Sequence, residues 1–460
     1  MRSKQLLLLF LALSVYFTGC QDTPKKENKT EDHQGTSEAP TPEWSKDAVI
    51  YEVNIRQYTE EGTFDAFAEH LPRLKELGVD ILWLMPVHPI GEEKRKGNLG
   101  SYYSIKDYKG INPEFGTMDD FKELVEKVHE QDMHLVLDWV ANHTAWDHPW
   151  TEEHPDWYMK NDSGEIIAPH EDWTDVAGLN YENGEMRTAM TDALTFWVEE
   201  ANIDGYRCDV AGMVPVDFWE SARRAIEKEK NVWMLAEDEE ETELLEYAFN
   251  ANYGWSFHHI MNDVANGEKN ATHVKAYFNK IDSVYPQGTY PMQFTSNHDE
   301  NSWNGTVFDR MGEKAARTMT ALTFTVEGMP LIYSGQEIGL DKQLAFFEKD
   351  RIEWKDNTEM GSLYHTLTSL HADNPALWNG EAGGTMNIIE TNEQQDVLYF
   401  SREKNDNTVV ALFNLSDESK SVSAEGGPEG TFSEVINEKE ANLPVRGVLL
   451  QPWEFRIYVQ

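Results

Sequence analysis

Cysteine is nearly absent: Cys20 and Cys208 are the only two in 460 residues. That excludes a disulfide scaffold and a zinc site built from four thiolates. Positive charge is scarce, with 39 Lys and Arg against 82 Asp and Glu and a formal net charge of -43. Nucleic acid is thereby excluded as a partner, because its phosphates would be repelled, and broad contact with anionic lipid is disfavoured. No apolar run reaches the length of a membrane span; Leu6 to Phe17, about a dozen residues, falls short. No glycine-rich phosphate loop follows any apolar strand-like segment, which removes a nucleotide-binding doubly wound sheet. No internal repeat is present.

What is there supports a large core. Hydrophobic residues make up 40%, and 15 are Trp, so disorder is excluded for most of the chain. The length suits one large barrel with an accessory domain.

The first twenty residues read as an address. Arg2 and Lys4 precede the apolar run, and Thr18-Gly19-Cys20 resembles the end of a bacterial lipobox, in which the Cys is acylated after cleavage. The alternative is an ordinary signal peptide cut nearby. The lipobox reading implies an exported lipoprotein, in the periplasm or on the cell surface, that touches the membrane only through lipidated Cys20. Residues 21–44 are rich in Lys, Glu, Thr, Ser and Pro without apolar periodicity, and read as a flexible tether.

Residues 45–379 alternate short apolar runs with amphipathic helices. Strands are expected at 48–54, 79–85, 134–138, 203–210, 232–237, 291–296 and 329–333. A helix is expected from Phe64 to Leu77, closed by Gly78, and another opens on Thr117 with Asp120 as a capping-box pair. Apolar strands alternating with helices imply a parallel sheet buried on both faces. Asp138, Asp209, Glu237, His298 and Asp299 fall at or after strand ends, where a (β/α)8 TIM barrel keeps its chemistry. Between about 143 and 183 the pattern breaks into a Trp-, Asp- and His-rich stretch, read as a small inserted subdomain after the third strand. From 380 to 460 short strand-like segments separated by turns suggest a C-terminal antiparallel β-sandwich.

Three carboxylates carry the chemical signal. Asp209 closes Gly205-Tyr-Arg207-Cys-Asp209, Glu237 closes Trp233-Met-Leu-Ala-Glu237, and Asp299 closes Asn297-His298-Asp299. Taken singly, each reads equally well as a solvated strand-end acid. Gathered on one rim, like charges keep one carboxyl protonated near neutral pH. A proton-donating acid beside an attacking carboxylate is what glycoside cleavage needs. Arg207 stands two residues before Asp209, on the same side of a strand. Val210, the next residue, would point to the opposite face.

These residues resemble the α-amylase family of glycoside hydrolases, family 13. The shared motifs are Asp138-Trp-Val-Ala-Asn142-His143, Gly205–Asp209, the Glu237 strand end and Asn297-His298-Asp299, in the family's order. Gly110–Thr117 and Gly328–Glu337 support them, and the resemblance spans roughly 47–375. It implies Asp209 as nucleophile, Glu237 as acid then base, and Asp299 as the group that holds substrate hydroxyls and favours ring distortion. It implies that His143 and His298 bind sugar hydroxyls, that Arg207 pairs with Asp209, and that Tyr103 stacks under the sugar at the cleavage point. It further implies an α-glucan poly- or oligosaccharide substrate, and calcium on Asn142, with Asp175 as another ligand. A lone His or Tyr103 in the core is the plainer alternative for each of those residues. Zinc from His143, His148 and His154 has poor spacing.

Departures bear on specificity. Gly178-Leu-Asn180 lacks the family's usual Asp, Gly212 and Met213 replace a Lys-His pair, and Val210 is like members that accept α-1,6 bonds. The expectation is a retaining hydrolase of α-1,4-glucosidic bonds. The alternatives are a neopullulanase-like or α-glucosidase-type enzyme, a glucanotransferase, and a surface starch-binding lipoprotein with a dead barrel.

Overall fold

The structure is a computed structural model and describes residues 39–460. Cys20, the leader and residues 21–38 lie outside the described residues. Eight strands form a closed parallel barrel in sequence order: β1 Ile50–Val53, β2 Ile81–Leu84, β3 His134–Trp139, β4 Gly205–Cys208, β5 Trp233–Ala236, β6 Ala251–Tyr253, β7 Tyr290–Gln293 and β8 Met329–Tyr333. The register runs Ile50↔Ile81, Ile81↔His134, Val136↔Gly205 and Gly205↔Trp233, and closes at Ile50↔Leu331.

Side chains alternate across each strand. Ile50, Ile81, Trp83, Val136, Leu235, Met292 and Leu331 point inward and fill the barrel, while Tyr51, Leu82, Leu84, Leu135 and Leu137 meet the surrounding helices. The interior is a packed core, so chemistry is confined to the strand ends.

Five strands lie within their expected segments, and β3 and β7 overrun theirs by one residue, at Trp139 and Tyr290. The eighth, β6, has three residues and an Asn in the middle, too short for an apolar run to announce it. The helix expected over 64–77 is two, Phe64–Ala68 and Leu71–Leu77. Pro72 causes the break, because it has no N–H to give to residue 68 and its ring crowds that carbonyl. Gly78 closes the second helix at φ 89°, and Thr117 and Asp120 form a reciprocal capping box.

The expected tether is too long. Residues Glu43–Ser45 form a 3-10 turn, Trp44 stacks on His134 at 3.9 Å, and Pro40 O accepts from Arg223 Nη2 at 2.8 Å. Trp44 has apolar surface to bury and finds it beside the barrel's interior residues.

After β3 the chain leaves the barrel. His143–Ala145 pairs antiparallel with Val176–Gly178, and the segment between them packs around Trp157. The C-terminal segment carries a six-stranded antiparallel sheet, in the order 386–388, 397–404, 407–414, 455–459, 430–434 and 439–443, and a two-stranded ladder of 420–422 with 448–450. Tyr399, Val410 and Leu412 on one face pack with Val422 and Leu450 of the ladder. Phe400, Ala411 and Phe413 on the other face join the barrel's outer core. Among the described residues no helix is long and apolar enough to cross a membrane.

Candidate active site

Alternation aims the site. Glu52 on β1, Trp83 on β2, Asp138 on β3, Arg207 on β4 and Tyr253 on β6 share the inward parity of the barrel core and lie toward the C-terminal ends of their strands. Asp209 and Glu237 come one residue after β4 and β5 end.

Arg207 is fully buried and holds three carboxylates at once. Its Nη1 lies 2.8 Å from Asp138 Oδ1 and 3.1 Å from Asp209 Oδ1, and its Nη2 lies 2.8 Å from Glu237 Oε1. Its Nε donates to Tyr253 Oη at 3.0 Å. The expected Arg207–Asp209 pair is present, and the same guanidinium also bridges Asp209 to Glu237. Asp138 accepts from Trp83 Nε1 at 3.1 Å and from Tyr103 Oη at 3.0 Å through its other oxygen.

A second charged pair stands beside this one. His298 Nδ1 donates to buried Glu52 Oε1 at 2.5 Å, and its Nε2 donates to Tyr103 Oη at 2.8 Å. Burial alone would lower the His298 pKa, but the charges of Asp299 and Glu52 outweigh it and lift it to about 9. His298 is therefore an imidazolium at neutral pH. At His143 burial wins over the Asp175 charge and a hydrogen bond to the Tyr103 backbone and takes the ring down to about 4, so it is neutral.

Burial pushes Asp209 well above the usual carboxylate range; the Glu237 charge adds to this and Arg207 opposes it. Burial raises Glu237 too, against Arg207, with Asp299 adding to the rise. Two carboxyls on one guanidinium titrate together and keep a proton between them toward neutral pH. Each carboxyl accepts one hydrogen bond, Asp209 Oδ1 from Arg207 Nη1 at 3.1 Å and Glu237 Oε2 from the Val210 N–H at 2.8 Å.

Asp299 departs from the expected strand end. β7 stops at Gln293, and Asn297 caps a short helix, His298–Asn304, whose first turn carries Asp299. Trp303 Nε1 donates to Asp299 Oδ1 at 3.1 Å. Val210 departs as well. It lies off the strand in the left-handed region, φ 38° and ψ 47°, a strained place for a β-branched residue.

A cavity of about 210 Å³ is lined by Tyr103, His143, Asp209, Val210, Glu237, His298 and Asp299, together with Lys96, Ser101, Trp173, Asp175, Val176, Trp303, Phe346 and Phe347. The sugar-site residues expected from sequence meet here except Arg207, which is buried behind Asp209 and Glu237 and ion-paired to both. A larger cavity, about 590 Å³, lies against Tyr285, Glu327 and Arg402 and holds none of these acids.

Asn142 does not join them. It is buried, with its Nδ2 3.2 Å from His143 Nδ1. Asp175 is held by Lys96 Nζ at 2.9 Å. Calcium needs six to eight oxygens, and one amide plus a carboxylate already paired with an ammonium do not supply them. Among the described residues no three His, Cys, Asp or Glu side chains converge as metal ligands. Cys208 is a buried free thiol in the core.

Glu52 was not anticipated as a site residue. Its signal is a lone acid inside the apolar run Val49–Val53 at the inward parity of Ile50. Phe346 and Phe347 lie in a loop and had no periodic signal.

The sequence profile described as "Alpha amylase, catalytic domain" matches residues 26–174 and 155–415. The α-amylase MalA of Haloarcula japonica is 28% identical over 407 residues, which cover 85% of this chain and 58% of that relative's length. A noncanonic maltogenic α-amylase from Thermotoga neapolitana superposes with a TM-score of 0.82 at 29% identity, over 90% of this chain and 98% of that one. An α-amylase from Lactobacillus plantarum superposes with a TM-score of 0.81 at 30% identity, over 91% and 99%.

Proposed function

The chain belongs to the α-amylase family of glycoside hydrolases, and from that premise we propose that it cleaves α-1,4-glucosidic bonds in starch-like α-glucans and maltooligosaccharides, with retention. The observation that carries this reading is the pair Asp209 and Glu237, bridged by one buried guanidinium in a cavity floored by polar groups.

In the first step Asp209 attacks the anomeric carbon while Glu237 gives its proton to the leaving oxygen, so a glycosyl ester and a free sugar hydroxyl form together. In the second step Glu237 takes a proton from water, the water oxygen bonds to the anomeric carbon, and Asp209 leaves as carboxylate. Tyr103 offers an aromatic face to the C–H face of the pyranose. Neutral His143 supplies a hydrogen bond to a sugar hydroxyl and Asp299 accepts from hydroxyls, while imidazolium His298, engaged by Glu52 and Tyr103, holds the Tyr103 ring in place. A sugar hydroxyl in place of water in the second step would give transfer instead of hydrolysis.

Retaining enzymes place the two carboxyls about 5–5.5 Å apart, too near for a water on the far face. Proton NMR of the first sugar released should therefore show the α anomer. A β anomer formed first would overturn the assignment.

Val210 favours a second activity on α-1,6 bonds. Val210 lines the cavity, and its N–H donates to Glu237, the group that protonates the leaving sugar. Val210→Ala should shift the ratio of pullulan to maltotriose cleavage by up to about two orders of magnitude, the range that ~1–3 kcal/mol of pocket discrimination allows. The melting midpoint should hold or rise, because a β-branched side chain leaves a strained backbone position. An unchanged ratio with a lowered midpoint would make Val210 a packing residue only.

We also propose that the protein is exported and held at a membrane through lipid on Cys20. Cys20→Ser should abolish incorporation of labelled fatty acid; equal labelling of variant and parent would place the lipid elsewhere.

A further inference from the structure

Two loops at the rim of the barrel are fastened to each other. One follows β2 and the other follows β8. Leu99 N–H donates to Phe347 O at 3.1 Å. Asn98 donates to Glu348 Oε1 from its backbone N–H at 3.2 Å and from Nδ2 at 2.9 Å. Gly97 sits at φ 63°, and a Cβ on it would lie 2.4 Å from Phe347 Cβ, so the loops meet too closely for any side chain at that position.

The wall continues on both sides of this bridge. Lys96 Nζ reaches Asp175 Oδ1 and Asp172 O, each at 2.9 Å, and ties the β2 loop to the inserted segment. Gln343 Nε2 donates to Ser302 O at 2.6 Å and Leu344 N–H to Asn301 Oδ1 at 2.9 Å, which ties the β8 loop to the helix bearing Asp299. The wall is aromatic inside. Phe346 lies parallel to Tyr103, with centroids 6.3 Å apart and planes at 10°, and Trp303 packs on Phe346 at 5.4 Å.

Position in the reaction gives this wall its meaning. Glu237 protonates the departing oxygen, so the leaving sugar lies on the side of Glu237 and Val210. Tyr103, Phe346 and Phe347 also line the cavity, with Phe346 parallel to Tyr103, and we place the non-reducing side of the retained ring against them. A glucan that ran through the site would have to continue through the Leu99–Phe347 bridge. The cavity, about 210 Å³, is also smaller than the roughly 300–1,000 Å³ of pockets that enclose larger ligands.

We infer that the cavity is blind at its non-reducing end and that the enzyme works from chain ends, releasing one or two glucosyl units per cut. The inference rests on the retaining α-glucan reading given above. Within that reading it makes the Lys96–Asn98 and Phe347–Glu348 segments the determinants of product length.

The test uses maltoheptaose labelled at its reducing end, with the non-reducing terminal sugar either free or blocked as a 4,6-ketal. The free substrate should give labelled maltohexaose or maltopentaose as the first product, and the blocked substrate should react at least a hundredfold more slowly. The double variant Asn98→Ala/Glu348→Ala should recover cleavage of the blocked substrate by tenfold or more. Labelled maltotriose and maltotetraose from the outset, or equal rates on both substrates, would overturn the inference while leaving α-glucan hydrolysis in place. No cleavage of either substrate by the parent enzyme would overturn the function itself, and the inference with it. The product profile of the parent enzyme decides the question even if the double variant does not fold.

Discussion

Glu237→Gln should lower turnover of maltooligosaccharides by about 10²- to 10⁴-fold, the contribution of a positioned general acid. The side chain keeps its size but loses the proton, and its two oxygens become one. The Val210 N–H donates to Glu237 Oε2, and the Arg207 guanidinium is ion-paired 2.8 Å from Oε1; the amide nitrogen must face one of them, so one buried partner is lost. That costs about 1–3 kcal/mol, offset by removing one negative charge from a cluster of three. The fold and glucan binding should survive. The informative readout is the leaving group. A glycosyl fluoride or dinitrophenyl glycoside departs without protonation, so the variant should recover much of the first step on such a substrate and then stall as glycosyl ester, because no base remains for water.

The pH profile separates loss of the acid from general damage. The proton shared by Asp209 and Glu237 is held above the usual carboxylate range, chiefly by burial. In the parent enzyme activity falls as pH rises through the higher of the two macroscopic pKa values, where the acid is lost, and falls as pH drops through the lower, where the nucleophile is protonated. In Glu237→Gln the high-pH limb should vanish for activated substrates and the low-pH limb should stay. Parent-like turnover of unactivated maltooligosaccharides by this variant would move the acid to another residue.

The parts of the fold that were legible in sequence are those set by local chemistry. Apolar runs marked seven barrel strands, and Thr117 with Asp120, Gly78 and the turns of the C-terminal segment announced their own ends. Arg207 and Asp209 were paired correctly, although the reason was partly wrong: Asp209 is already past the strand, and both Asp138 and Glu237 share the same guanidinium. What was not legible depends on closure of the barrel. β6 is three residues long, and only its neighbours Leu235 and Tyr290 make it a strand. The Glu52–His298 pair joins residues 246 apart in sequence, and the Asn98–Glu348 bridge joins residues 250 apart. No periodicity within either segment encodes such a contact. Trp44 was read as tether because its flanks are polar and charged, and its stacking partner His134 opens β3, 90 residues away in sequence. Asn142 was read as a metal ligand from motif likeness, whereas Lys96, outside every motif, already occupies the Asp175 carboxylate.

Arg207→Met should be the most damaging single change in the molecule. It preserves the apolar stem while leaving Asp138, Asp209 and Glu237 buried without their cation. Breaking a buried ion pair from one side costs about 3–5 kcal/mol, and here three partners are stranded. The carboxyls will respond by taking up protons, so the pair that needs one proton will hold more, and turnover at neutral pH should fall by several orders of magnitude. Arg207→Lys should rescue little, since a single ammonium cannot present the fork that reaches Asp209 from Nη1 and Glu237 from Nη2. The stability loss has a definite sign with pH. In the variant the folded-state pKa values of Asp209 and Glu237 rise further above their unfolded values, near 4. The protonated, undamaged form is then favoured below pH 4, and the deficit against the parent grows as pH rises through the raised values and levels off above them. Thermal melts of parent and variant from pH 4 to 8 should diverge accordingly. Parallel curves, or a deficit that shrinks as pH rises, would mean that Arg207 is not neutralising the three carboxylates.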